Sequence, residues 1–98
     1  MAQPALPQIV QIDNRWDISG DVVIGAVPAI LEASKLLSII DNTTVDFANV
    51  TDIDTSTISL ILEWKRRAQK ENQLLKFVNL PANLTTLTQL YGVAELIN

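Results

Sequence analysis

The sequence predicts an α/β domain: a mixed four-stranded sheet with about three helices packed on it. Two observations carry this. Short alternating or apolar segments interleave with segments whose apolar residues recur at helical spacing, in the order β, β, α, β, α, β, α. The chain also has 98 residues, 48% apolar and 18% charged, a balance that suits one folded domain rather than a disordered chain. At this length about 65% of the unfolded surface is buried. The core is therefore small, with little room for a deep catalytic cleft.

The elements follow in order. Residues 1–7 hold Pro4 and Pro7 and no periodic pattern, so they read as a flexible N-terminal tail to a single domain over 8–98. Ile9, Val10 and Ile12 mark a strand, and Asp13-Asn14 supplies turn chemistry. Arg15-Trp16-Asp17-Ile18-Ser19 alternates polar and apolar, so a hairpin opens the sheet. Gly20-Asp21 ends that strand. Ala26, Val27, Ile30, Leu31, Ser34 and Leu37 predict a helix over 26–38, with Pro28 in its first turn, where a missing N–H costs nothing. Asp41-Asn42 breaks the pattern. Val45-Asp46-Phe47 reads as a third strand, followed by a loop in which Val50 and Ile53 return to the core.

From Ile58 the spacing predicts a second helix. Ile58, Leu60, Ile61, Leu62, Trp64 and Ala68 form its apolar face, opposite Ser59, Glu63, Arg66 and Lys70. Asn72 ends it. Leu75–Leu80 reads as a fourth strand. Pro81 opens a third helix carrying Leu84, Leu87 and Leu90, Gly92 suits the position just past its end, and Val93–Ile97 packs as a short terminal element. Strand–helix–strand succession implies right-handed crossovers and a partly parallel sheet. Trp16 and Trp64 read as packing residues.

Composition excludes several function classes. With no Cys and no His, the chain has no disulfide framework, thiol nucleophile, imidazole or thiolate zinc site, or Ser-His-Asp triad. Seven basic residues against eleven acidic ones give a net charge of −4, unfavourable for generic nucleic-acid binding. The longest apolar run, Val22–Leu31, is broken by Gly25 and Pro28 and falls short of the ~18 residues of a membrane span. Met1-Ala2-Gln3-Pro4-Ala5 lacks the basic region of a secretory signal, so a soluble, cytoplasmic protein is expected. Three scattered glycines make no phosphate loop, so no nucleotide cofactor is implied. Asp52 and Asp54 suit turn formation better than acid–base catalysis and are too few oxygen ligands for a metal, so no enzyme is expected.

Charge is placed unevenly. Residues 1–55 hold eight acids and two bases, whereas 56–98 hold three acids and five bases, with Lys65, Arg66, Arg67 and Lys70 on the second helix. This fits the helix dipole, which favours cations toward a C-terminus, or a docking stripe for an acidic partner.

The most informative stretch runs from Val45 to Ile58. A strand ends and Asp54-Thr55-Ser56-Thr57 leads into a helix. Asp54, Thr55 or Ser56 each suits the helix N-cap, where a side-chain oxygen accepts a bond from an orphan N–H. One cap needs one such residue, and four polar residues stand in a row. The surplus, with Ser59 one turn on, is a candidate partner-binding surface: hydroxyls on a rigid element beside unpaired N–H groups.

This stretch resembles the STAS domain family, which includes bacterial anti-sigma-factor antagonists and the cytoplasmic tails of sulfate transporters. Val45-Asp46-Phe47, Val50, Ile53-Asp54-Thr55-Ser56 and the helix from Ile58 match the family pattern, and element order and size match over about 9–97. The pattern has a glycine where this chain has Thr57, whose side chain is expected to crowd the partner surface. Within the family the chain is most similar to the small STAS subunit of the Mla phospholipid transporter, with the Asp54-Thr55 pair and the late Leu90-Tyr91-Gly92-Val93-Ala94-Glu95-Leu96 segment. The resemblance implies a non-catalytic subunit of an ABC transporter that moves phospholipid and maintains outer-membrane lipid asymmetry. Such a subunit binds the ATPase in the cytoplasm and meets the membrane only through that complex, with Thr55 at the contact. It also implies an alternative, an anti-sigma-factor antagonist switched by phosphorylation at Thr55 or Ser56. A phosphate there would gain from the helix N-terminus but repel Asp52 and Asp54.

Overall fold

Alternation in the N-terminal quarter builds the hairpin with which the chain begins. In the computed structural model, which describes residues 6–40 and 42–97, β1 (Gln8–Ile12) and β2 (Arg15–Val22) pair antiparallel, joined at Asp13 in a left-handed conformation, φ 55°. Then come α1 (Val27–Ser34), β3 (Thr43–Ile53), α2 (Thr55–Lys70), β4 (Leu75–Val78), α3 (Ala82–Leu90) and α4 (Ala94–Ile97). The sheet order is β1-β2-β3-β4, with β2, β3 and β4 parallel, so it is mixed and four-stranded as the pattern predicts. Of the expected tail, residues 1–5 lie outside the described residues, as do Asp41 and Asn98. The backbone of Leu6 and Pro7, by contrast, lies against Gly20. A Cβ at Gly20 would stand 2.3 Å from the Leu6 carbonyl oxygen, and its φ of 85° also favours glycine.

One sheet face is covered. Trp16, Ile18 and Val22 of β2 and Val45 and Phe47 of β3 are buried, while the alternate residues Arg15, Asp17, Ser19, Asp21, Thr44 and Asp46 remain exposed or half-buried. The helices supply Ile30, Ile58, Leu60, Ile61, Trp64, Ala68 and Leu84 to the same core. Trp16 and Trp64 meet edge to face, 5.6 Å between centroids at 83°. Both find hydrogen-bond acceptors: Trp16 Nε1 donates to Ser38 O (3.1 Å) and Trp64 Nε1 to Ser34 Oγ (2.9 Å).

Several element boundaries differ from the sequence reading, and four of them have an identifiable physical cause. β2 continues through Val22 because Gly20 and Asp21 stay in the ladder with β3. β3 does not give way to a loop after Phe47. It runs on to Ile53, taking up its polar stretch through register shifts opposite Ile18 and between Gly20 and Asp21. α1 ends at Ser34 rather than residue 38, because side chains from elsewhere take its last carbonyls. Arg67 Nη1 donates to Ser34 O (2.9 Å), Arg67 Nη2 donates to Leu37 O, and Trp16 takes Ser38 O. β4 stops at Val78 because Asn79 turns left-handed, φ 56°.

The two helix ends that frame the rest of the molecule are built alike. After α2, Asn72 (φ 55°) carries the turn, with Gln73 N–H donating to Ala68 O and Asn72 N–H to Gln69 O. After α3, Gly92 (φ 69°) does the same, with Val93 N–H donating to Thr88 O (2.8 Å) and Gly92 N–H to Gln89 O (3.1 Å). Both are Schellman motifs. The second fixes where Tyr91 and Val93 stand.

Candidate partner-binding site

The site begins with a cap. Asp54, in extended backbone, is the N-cap of α2: its Oδ1 accepts from Ser56 N–H at 2.9 Å and from the Ser56 hydroxyl. Thr57 completes a capping box, its Oγ1 accepting from Asp54 N–H (3.3 Å). Asp54 also reaches across the fold, where Oδ2 accepts from Ile24 N–H at 2.9 Å. One carboxylate therefore fixes both the helix entry and the loop between β2 and α1. Burial would raise its pKa, but the bonds from Ser56, Ile24 and Thr57 outweigh that and hold it below the ordinary 3.8.

Of the five candidate residues two are exposed, two are half-buried and one is buried. Thr55 and Ser59 are exposed, one helical turn apart. Ser56 is half-buried with its hydroxyl committed to Asp54. Asp54 is half-buried and used as described. Thr57 corrects the expectation that its side chain crowds the partner surface. It is 0% exposed, and Oγ1 donates to Val22 O at 2.7 Å. The reason is helical phase, since position 57 shares a face with buried Leu60, Ile61 and Trp64. The surface at 57 is therefore as open as a glycine would leave it.

Thr55 and Ser59 border an open depression of about 580 Å³ that the sequence reading did not anticipate. Its apolar wall is Ile24, Ile58, Tyr91 and Val93. Ile24 is 75% exposed and Tyr91 59%, and the adjacent Leu90 is 75% exposed. The only sequence signal for these was an apolar residue beside a glycine at an element end, Ile24-Gly25 and Tyr91-Gly92.

The acids of the region are bound locally. Asp52 Oδ1 accepts from Ile53 N–H (2.9 Å) and Asp21 Oδ1 from the Thr51 hydroxyl (2.6 Å). Among the described residues no group of three or more His, Cys, Asp or Glu is placed to hold a metal. No helix among them is long and apolar enough to cross a membrane.

Sheet order and helix entry together define a class: a small mixed-sheet α/β domain that displays hydroxyls at the start of its longest helix. A family model described as "Mlab, STAS domain" matches residues 9–98, and the chain belongs to the STAS domain family. Among solved structures it is similar to the anti-sigma factor antagonist SpoIIAA in its unphosphorylated form (TM-score 0.69, 17% identity, covering 91% of this chain and 83% of that one). It is likewise similar to the Bacillus cell fate determinant SpoIIAA in its phosphorylated form (TM-score 0.64, 16% identity, 91% and 86%). A third likeness is to a structure described as Mglu, at TM-score 0.56 and 24% identity, covering 76% of this chain but 20% of that one. These likenesses show the fold. No curated protein matches.

Proposed function

We propose that this chain is the non-catalytic STAS subunit of a bacterial Mla-type phospholipid ABC transporter, binding and supporting its ATPase from the cytoplasmic side. One observation carries the reading: Thr55 and Ser59 stand exposed on a helix entry buttressed by Asp54, beside an apolar wall of Ile24 and Tyr91. Such a surface forms directional bonds and buries apolar area with little ordering cost. The Mlab description of the matching family model is consistent with it. The test is co-elution of the purified ATPase subunit with this chain at micromolar concentration. Separate elution overturns the reading.

A second reading is an anti-sigma-factor antagonist switched by phosphorylation at Thr55 or Ser56. It is favoured by the accessibility of Thr55, whereas the Ser56 hydroxyl is engaged with Asp54. Intact-mass measurement on protein from native cells decides it. A phosphate on this loop supports the switch, and its absence in every growth condition counts against it.

A further inference from the structure

β1 is an edge strand. The sheet gives it one neighbour, β2, and among the described residues its outward main-chain N–H and C=O groups have no partner. An open edge is a template for one more strand, and folded proteins commonly guard it with a charge, a proline or a bulge. β4, at the opposite edge, carries Lys76. β1 has none of these guards. It reads Gln8-Ile9-Val10-Gln11-Ile12, pairs with β2 without a register shift, and is the one strand of the described sheet without a charged residue. Ile9 and Gln11 stand opposite the buried Ile18 and Trp16 and face the helices. Gln8, Val10 and Ile12 therefore face the uncovered side, where Val10 and Ile12 are 49% and 51% exposed. On the helix side an open groove of about 460 Å³ runs between the strand and α1. Ile9, Val10, Ala29, Ile30 and Ala33 border it, and no charged residue lines it.

We infer that this edge binds a second copy of the chain, β1 pairing antiparallel with the partner's β1 about a two-fold axis at Val10, so that two four-stranded sheets join into one. The pairing is confined to residues 8–12, because Pro7 has no N–H to donate and Asp13 turns left-handed. Centring it on Val10 sets Val10 against its own copy, Gln8 against Ile12 and Ile9 against Gln11, each pair on one face of the joined sheet. The missing charge is what selects a second copy. A two-fold axis brings a strand against itself, so a charge near its centre would meet its like, and β1 has none to meet. α1 suits the seam: Ala29 and Ala33, one turn apart and exposed, leave room beside the edge, and the one acid of that helix, Glu32, is paired with Lys35 at 2.9 Å. The Thr55 depression shares no lining residue with this groove, so the inference stands apart from the transporter reading, and a dimer would present that depression twice. Five paired residues a side, against roughly 20–30 in a standard interface, make the dimer a weak one.

Sedimentation equilibrium on the full chain, from about 10 µM to about 1 mM, tests it. The expected result is a mass that rises from monomer to dimer and no further, with outward amides of Gln8–Ile12 gaining exchange protection as concentration rises. Val10→Lys puts two cations face to face at the axis and should weaken the dimer about tenfold. The position is half exposed, so folding is retained. The double variant Gln8→Lys, Ile12→Glu sets opposite charges against each other twice across the seam and should dimerise at least as well as the native chain. A monomer throughout, growth past the dimer, a dimer untouched by Val10→Lys, or one weakened as much by the double variant overturns the inference. So does self-association that Ile24→Ser abolishes and Val10→Lys leaves alone, which would put the contact at the Thr55 depression instead.

Discussion

Asp54 Oδ2 and the backbone N–H of Ile24, 30 residues apart in sequence, lie 2.9 Å from each other. The other oxygen of the same carboxylate caps α2. Helix entry and the loop bearing the exposed Ile24 are therefore one mechanical unit, held by a group that looks from sequence like an ordinary cap.

Replacing Asp54 by Ala removes the cap and leaves Ile24 N–H without its acceptor. The expected cost is about 1–2 kcal/mol, seen as a fall in Tm of roughly 4–16 °C for a domain of this size. Asp54→Asn retains an acceptor oxygen and should lose less. Thermal unfolding by circular dichroism checks both.

Acid should weaken the same unit. The Asp54 pKa is lowered on folding, so its stabilising contribution is complete above the ordinary 3.8 and is lost as pH falls through the lower folded value. Asp46 acts in the same direction, its pKa lowered chiefly by the bond from Asn79 and then by Ala48 N–H. Denaturant midpoints should drop below about pH 4 in the native chain, and less steeply in an Asp54→Asn, Asp46→Asn double variant.

Thr55→Ala and Thr55→Glu should weaken partner binding while leaving Tm within about 3 °C, since surface changes usually stay within about 0.5 kcal/mol. Co-elution and calorimetry read the first effect, thermal melts the second. Unchanged binding in both variants would move the contact elsewhere.

Thr57→Val should do the reverse. It leaves Val22 O without the buried hydroxyl donor and Asp54 N–H without its acceptor, costing about 1–3 kcal/mol. Affinity measured below the melting temperature should not change, because the side chain does not reach the surface.

Arg67→Ala should loosen the end of α1. The guanidinium donates to Ser34 O and Leu37 O, pairs with Glu71 at 2.8 Å and lies 5.7 Å from the Trp16 ring centroid. Amide hydrogen exchange over 34–38 should accelerate, and Arg67→Lys should rescue it only in part.

Much of the fold was legible in the sequence because its period-two and helical patterns are clean from Ile9 to Ala68, and Asp13, Asn42, Asn72 and Gly92 stand where left-handed turns are needed. The hydroxyl cluster was legible as a helix entry. What escaped were long-range effects. Nothing local says that β3 absorbs its polar stretch through register shifts, or that Arg67 ends α1 from another helix. Ile24 and Tyr91 come to one depression only through the β2–α1 loop and the α3–α4 turn. The inward phase of Thr57 was readable, since it lies three, four and seven residues before Leu60, Ile61 and Trp64. The family's glycine at that position drew attention to surface crowding instead.

Because one carboxylate ties the α2 entry to the β2–α1 loop, a ligand that grips either of them also clamps the other, so the footprint of binding should extend to the slowed exchange of amides it never touches.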